Sequence, residues 1–292
     1  MNSVELFPVA EVLPPISPIT IGMGADKARA YITHLLNNEK VKGEKKAFGP
    51  GILKALHRQV FFYYPKLAGH FRPDDDLRVA GRKPMPAAEL EDKVYLFERW
   101  LEDEIDQLKQ DPENLPGAIR IATAAHYGVV GDLHAFPDGN GRVARVLMNG
   151  VLMLNTQEGR SYGRYILPAP ILRERIDEEE LKRVLMSGRE PKLTPYLKAL
   201  EGINNTWTLN SFEIFIADKW TQSIDAFLNE FRLQYGTKGN ERRNGFGKSE
   251  HRVIEKIEER RGRLQRFVEA GIKGKLPKDT VPDFFATRRL GT

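Results

Sequence analysis

Residues 134–154 constrain the fold more than any other stretch of this chain. They begin His-Ala-Phe-Pro-Asp-Gly-Asn-Gly-Arg-Val-Ala-Arg and then become periodic, with Val143, Val146, Leu147, Val151 and Leu154 recurring at spacings of three and four. That spacing lines apolar side chains along one face of an α-helix. The stretch therefore predicts a loop that opens directly into a buried helix. Gly139 and Gly141 allow the loop backbone conformations and close approaches that a side chain would forbid. The free N–H groups and the dipole at the helix start make a site for an anion. Arg142 and Arg145, in the first turns, oppose that dipole. Two cations there make sense if a polyphosphate neutralises them, and the planar guanidinium fork suits phosphate oxygens. His134 is a base with an ordinary pKa near neutrality, and it lies four residues before an acid, Asp138.

The rest of the chain is helical by the same criterion. Residues 87–109 carry Leu90, Val94, Phe97, Leu101, Ile105 and Leu108 in one stripe, widened by Trp100. Residues 25–38 and 51–64 predict two earlier helices, the second with Ile52, Leu56, Val60 and Phe61 on one face. His126 lies in a run of small and apolar residues at 117–130, and it, His57 and His70 read as structural. Beyond the central helix, residues 155–175 look irregular and 177–187, 194–201 and a long segment capped by Asn210 or Ser211 look helical. A charged helix at 249–270 follows, with a thin seam of Val253, Ile254, Ile257, Leu264 and Phe267. Residues 1–24, with four prolines, predict an extended arm. One departure from helix is expected at 72–86. There, Asp74-Asp75-Asp76 precedes a short strand candidate, Leu77–Ala80, and then Gly81 and Pro84-Met85-Pro86, which is hairpin chemistry.

Composition narrows the class. A chain of 292 residues, 41% hydrophobic and 29% charged, suits one or two globular domains with a real core. The absence of cysteine excludes disulfides and thiolate metal sites. No apolar run approaches the roughly 20 residues that span a bilayer, and the N-terminus lacks a basic-then-apolar leader, so a cytoplasmic protein is expected, with no membrane partner. Residues 238–292 hold fifteen Lys/Arg against eight Asp/Glu, a surplus of +7, which leaves −2 for the remainder. This basic tail reads as a solvated extension; it has no helix-turn-helix signature, and nucleic acid is not the expected partner.

The stretch at 134–145 resembles the signature of the Fic family, His-x-Phe-x-Asp/Glu-Gly-Asn-Gly-Arg-x-x-Arg, at His134, Phe136, Asp138, Gly139, Asn140, Gly141, Arg142 and Arg145. Ala135 stands where many members have proline. The glycines are those of the nucleotide-transferring branch, not of the Doc branch. The resemblance covers roughly residues 50–230. It implies a mainly α, Fic-type helical bundle with a short β-hairpin flap ahead of the active loop, and a division into an N-terminal arm and helix (1–49), a Fic domain (50–235) and a basic C-terminal extension (236–292). It also implies transfer of AMP from ATP to a Ser, Thr or Tyr hydroxyl of a target protein. In that reading His134 is the general base and Asp138 holds Mg²⁺ or Mn²⁺. Gly139, Asn140, Gly141, Arg142 and Arg145 hold the phosphates, and Phe136 anchors the loop. Asp76, Leu77, Arg78 and Val79 of the flap would dock the target. Alternatives are a donor such as UTP or a phosphocholine nucleotide, and a non-catalytic nucleotide-binding module. Many relatives carry an inhibitory helix with Ser/Thr-x-x-x-Glu. The one strict match here is Thr237–Glu241, followed by Arg242 in a Gly-rich loop, so control is expected to come from a separate antitoxin-like protein or from encounter with the target.

Overall fold

The computed structural model describes residues 18–42, 47–73, 84–111, 113–154, 195–235 and 248–277. Among these residues there are eight α-helices and no strand. They are α1 (Pro18–Lys42), α2 (Ile52–Val60), α3 (Leu90–Gln110), α4 (Leu115–Tyr127), α5 (Asn140–Leu154), α6 (Pro195–Thr206), α7 (Asn210–Tyr235) and α8 (Lys248–Ile272). The mainly α fold expected from periodicity is present. Of the hairpin expected within 72–86, residues 74–83, with Asp76, Leu77, Arg78 and Val79, lie outside the described residues, as do the irregular stretch and helix expected across 155–187 and the Gly-rich loop around Thr237–Glu241. No described helix is long and apolar enough to cross a membrane.

Two compact units can be separated, one drawn from Met1–Asp106 and Ala125–Gly150, the other from Gln107–Ala124 and Val151–Thr292. The first contains the loop at 134–139 and what supports it. In α3 the apolar stripe is buried as its spacing predicts: Leu90, Val94, Phe97, Leu101 and Ile105 are all 4% exposed or less. Glu98 breaks the stripe yet is 3% exposed. Its Oε2 accepts from the Gly51 N–H at 2.6 Å and its Oε1 from the Leu53 N–H at 2.9 Å. A carboxylate on α3 thus caps the start of α2, satisfying N–H groups that no helical carbonyl can reach and complementing the positive end of that helix. α2 ends at Val60 rather than Tyr64, because the chain turns at Phe61–Tyr63.

The N-terminal arm expected through residue 24 is already helical from Pro18. Proline at the first helical position loses no hydrogen bond and brings a φ suited to the helix. Ala28, Ile32 and Leu36 of α1 are buried, while Ala30 is exposed. Gly24 lies close against α2: a Cβ there would lie 2.2 Å from the Val60 carbonyl oxygen.

The second unit packs α6 on α7 and α7 on α8. Tyr196, Phe212 and Phe215 form an aromatic cluster with ring centroids 5.6–6.0 Å apart, and Trp220 and Ile224 continue the buried stripe of α7. Neither expected cap of α7 acts as one. Asn210 Nδ2 donates to the Pro277 carbonyl and Ser211 Oγ to the Ala199 carbonyl, tying α7 to its neighbours instead. Of the seam foreseen on α8, Leu264 is fully buried and Ile254, Ile257 and Phe267 are half-buried. Ion pairs supplement it, Arg261 with Asp225 and Arg263 with Glu113.

Candidate active site

The site is built where α4 ends. After Tyr127 the helix widens into a single π turn, Gly128–Leu133, closed by the His134 N–H donating to the Val129 carbonyl at 3.1 Å. Turns of this kind recur at functional sites because they re-aim the residue that follows. That residue, His134, takes the left-handed conformation (φ 41, ψ 50). Its Nδ1 lies 3.0 Å from the Val130 carbonyl oxygen. A carbonyl only accepts, so Nδ1 carries the proton and the lone pair of the neutral ring sits on Nε2. Burial holds His134 below the ordinary histidine range; Arg72 pushes in the same direction, while the bond to Val130 and the charge of Asp138 oppose it. The result is a half-buried imidazole with its basic nitrogen defined.

The loop from Ala135 to Gly139 is held from several sides. Phe136 is fully buried and stacks on His57, with centroids 3.9 Å apart and planes 7° from parallel. Asn140 is 2% exposed, and its side chain closes the loop on itself: Oδ1 accepts from the Phe136 N–H at 3.0 Å and Nδ2 donates to the Phe136 carbonyl at 2.7 Å. The Asn140 side chain is therefore committed to the loop, and its own backbone N–H is what it offers outward. Gly139 adopts φ 80, and a Cβ there would meet Phe61 Cε2 at 2.3 Å. Gly141 differs. It has no left-handed φ, and its absent side chain would meet only Arg145 Nη1, at 3.3 Å. Gly139 is needed for conformation, and Gly141 keeps the helix end open.

α5 starts at Asn140. The Gly139 carbonyl accepts from the N–H groups of both Arg142 and Val143 at 2.9 Å, so Asn140 and Gly141 present the first N–H groups of a helix with no helical carbonyl to receive them. Asp138 Oδ1 accepts from the Gly139 N–H and its Oδ2 pairs with Arg142 Nη2 at 2.8 Å. The Asp138 side chain is 56% exposed and the Arg142 side chain 16%. Arg142 also donates to the Tyr63 hydroxyl at 3.1 Å and lies over the Phe61 ring at 4.5 Å. Its charge, which opposes the helix dipole, is thus partly neutralised within the loop. Arg145 is half-buried, close to Gly141 and near His126. His126 is fully buried, and burial first and Arg145 second bring it down to about 3.

Asp138 is the acid available to a metal. Each of its oxygens keeps a lone pair beyond the bond it already accepts. One exposed carboxylate beside a phosphate site is the usual protein contribution to a Mg²⁺ that takes its other ligands from phosphates and water. No cluster of three or more His, Asp and Glu is gathered among the described residues, so an all-protein metal cage is not what the described part of the site offers.

Two residues outside the signature support the loop, His57, which the sequence reads as structural, and Arg72, to which it gives no role. His57, fully buried, accepts the Gly69 N–H on Nδ1 at 2.9 Å and donates from Nε2 to the Asp138 carbonyl at 3.0 Å. Burial brings it down to about 4. Arg72, 4% exposed, donates from Nε to the His134 carbonyl at 2.9 Å and from Nη2 to the Met85 carbonyl. The sequence signal for either was slight: His57 follows Leu56, and Arg72 ends Gly69-His70-Phe71-Arg72, 62 residues before His134. His70, by contrast, is exposed.

The arrangement is a loop with a half-buried histidine and an exposed acid that opens into a helix carrying two arginines in its first turns, in a mainly α-helical chain. The Fic/DOC family model matches residues 48–152, and this stretch is a Fic/DOC family domain. Over 132 residues the chain is 33% identical to a protein named protein adenylyltransferase Fic from Nematostella vectensis, covering 45% of this chain and 28% of that protein. It is 34% identical over 132 residues to the protein of the same name from Culex quinquefasciatus, covering 45% of this chain and 24% of that one. With the one from Drosophila ananassae it shares 36% identity over 98 residues, 34% of this chain and 18% of the relative. The aligned part is thus about a quarter of the first two relatives' length.

Proposed function

We propose that the domain transfers AMP from ATP to a hydroxyl side chain of a protein. The observation that carries this reading is the tautomer of His134, a half-buried imidazole with Nδ1–H engaged by Val130 and Nε2 left basic, in the same loop as the helix start at Asn140 and Gly141. A hydroxyl is a poor nucleophile until its proton is accepted, and a histidine neutral at physiological pH suits that task. The acceptor oxygen would bond to the α-phosphorus as the bond from that phosphorus to the bridging oxygen breaks. Pyrophosphate would leave with the electron pair, and the hydroxyl proton would pass to His134 Nε2.

Negative charge on the phosphates grows in this step, so preorganised donors help most there. The N–H groups of Asn140 and Gly141, with Arg142 and Arg145, would supply them. Gly139 and the Asn140 side chain would keep the loop in shape, and Phe136 would anchor it through His57. Asp138 would hold a magnesium or manganese ion, which when bound neutralises phosphate charge. Arg142 must then exchange Asp138 for phosphate. Asp76, Leu77, Arg78 and Val79 remain the proposed docking strand for the target chain. The two residues flanking that segment, Arg72 and Met85, donate their N–H groups to the Ala135 and Asp132 carbonyls at 2.9 and 3.0 Å.

The test offers ATP, UTP and a phosphocholine nucleotide separately, with magnesium, and reads the mass of the protein and of candidate targets. Addition of one AMP from ATP alone is expected. Addition from another donor in preference would replace the reading with a different transferase, and binding of ATP with no addition to any protein would favour a non-catalytic module.

A further inference from the structure

We propose that Arg72 is a positioning residue that fixes the backbone of His134, and through it the direction of the basic nitrogen. The inference rests on the transferase reading for its kinetic consequence, but not for its geometry. His134 is one of two non-glycine described residues with positive φ, a conformation that persists only where neighbours hold it. The ring is fixed by Val130 on one side. Its peptide is fixed by Arg72 on the other: Nε donates to the His134 carbonyl at 2.9 Å, and the Arg72 N–H donates to the next carbonyl, Ala135, also at 2.9 Å. One residue therefore grips both peptides that follow the base.

The guanidinium does a second thing with the same fork. Its Nη2 donates to the Met85 carbonyl, and the Met85 N–H donates to the Asp132 carbonyl at 3.0 Å. Arg72 thus links residue 85 to the loop as well, and the loop is bonded at 132, 134 and 135. A buried charge is tolerated only when its donors are used, and a planar guanidinium reaches two carbonyls at once, whereas an ammonium is a point donor. This predicts that charge alone at position 72 is not enough.

The experiment uses the full chain with Arg72→Lys and Arg72→Gln. The first readout needs no activity: amide exchange in peptides covering 129–136 and 84–90. Faster exchange in both, with melting still cooperative, is expected. The second is AMP transfer, where kcat should fall about a hundredfold, the loss a misplacement of about 1 Å produces, while KM for MgATP stays within about threefold and Lys does no better than Gln. Unchanged exchange in 129–136, restoration of kcat by Lys, a loss confined to KM, or global unfolding of both variants would each overturn the proposal. If the wild-type protein transfers nothing from ATP, the transferase reading fails, and the exchange data still decide the role of Arg72.

Discussion

Acidification should loosen the active loop at His57. In the folded protein Nδ1 accepts the Gly69 N–H while Nε2 donates to the Asp138 carbonyl. Protonation would set one N–H against another, so the charged ring cannot keep both bonds. Burial brings the folded-state pKa from 6.5 to about 4. Between those values the unfolded chain binds a proton that the folded chain does not, so stability must fall as the pH is lowered from 6.5 to 4. At about 1.4 kcal/mol for each pH unit, the fall amounts to about 3 kcal/mol. His57→Leu removes this dependence. The variant should start about 1–3 kcal/mol less stable at neutral pH, since Gly69 and Asp138 each lose a partner, and then lose about 3 kcal/mol less than wild type over the window. Urea unfolding of both proteins at a series of pH values measures the difference. His126 and His134, also held down by burial, are present in both proteins and cancel. Parallel curves through the window would refute the reasoning.

Other substitutions probe the loop separately. Gly139→Ala should cost about 1–3 kcal/mol and abolish transfer, because φ 80 is strained for alanine and its Cβ would strike Phe61; a melting temperature unchanged from wild type would contradict this. His134→Ala should abolish transfer while leaving MgATP affinity nearly intact, measured by calorimetry, since the ring serves the acceptor hydroxyl. Asp138→Ala should raise the magnesium concentration needed for half-maximal transfer, and full activity in excess chelator would rule out the metal role. Glu98→Gln should destabilise the protein by about 1–3 kcal/mol, seen as a lower melting temperature, because an amide N–H₂ would replace one acceptor at the start of α2.

Periodicity made α3, α5 and α7 legible, since their apolar residues recur at helical spacing and are turned inward, over most of the circumference in α5. It overextended α2, where the aromatic run at 61–64 is apolar but turns. It also missed the first turns of α1, where Pro18 reads as a breaker although it suits a helix start. The loop itself was legible because its residue types are chemically particular. What the sequence did not show is how the loop is held. The π turn leaves no periodic trace in Gly-Val-Val-Gly-Asp-Leu. His57 and Arg72 reach the loop through bonds to backbone carbonyls, among them those of Asp138 and His134, 81 and 62 residues away, and a carbonyl carries no side-chain identity to search for. The same blindness explains Asn140: its type suits an anion site, and only its two bonds to Phe136 reveal a side chain turned into the loop.

The most direct test is to incubate the purified protein and Mg²⁺ with ATP labelled at the α-phosphate, and in parallel with ATP labelled at the γ-phosphate, then measure protein-bound label for wild type and His134→Ala. Incorporation of the α-label only, lost in His134→Ala, is the expected result. Incorporation of the γ-label, or α-label that persists without His134, would contradict AMP transfer by this base.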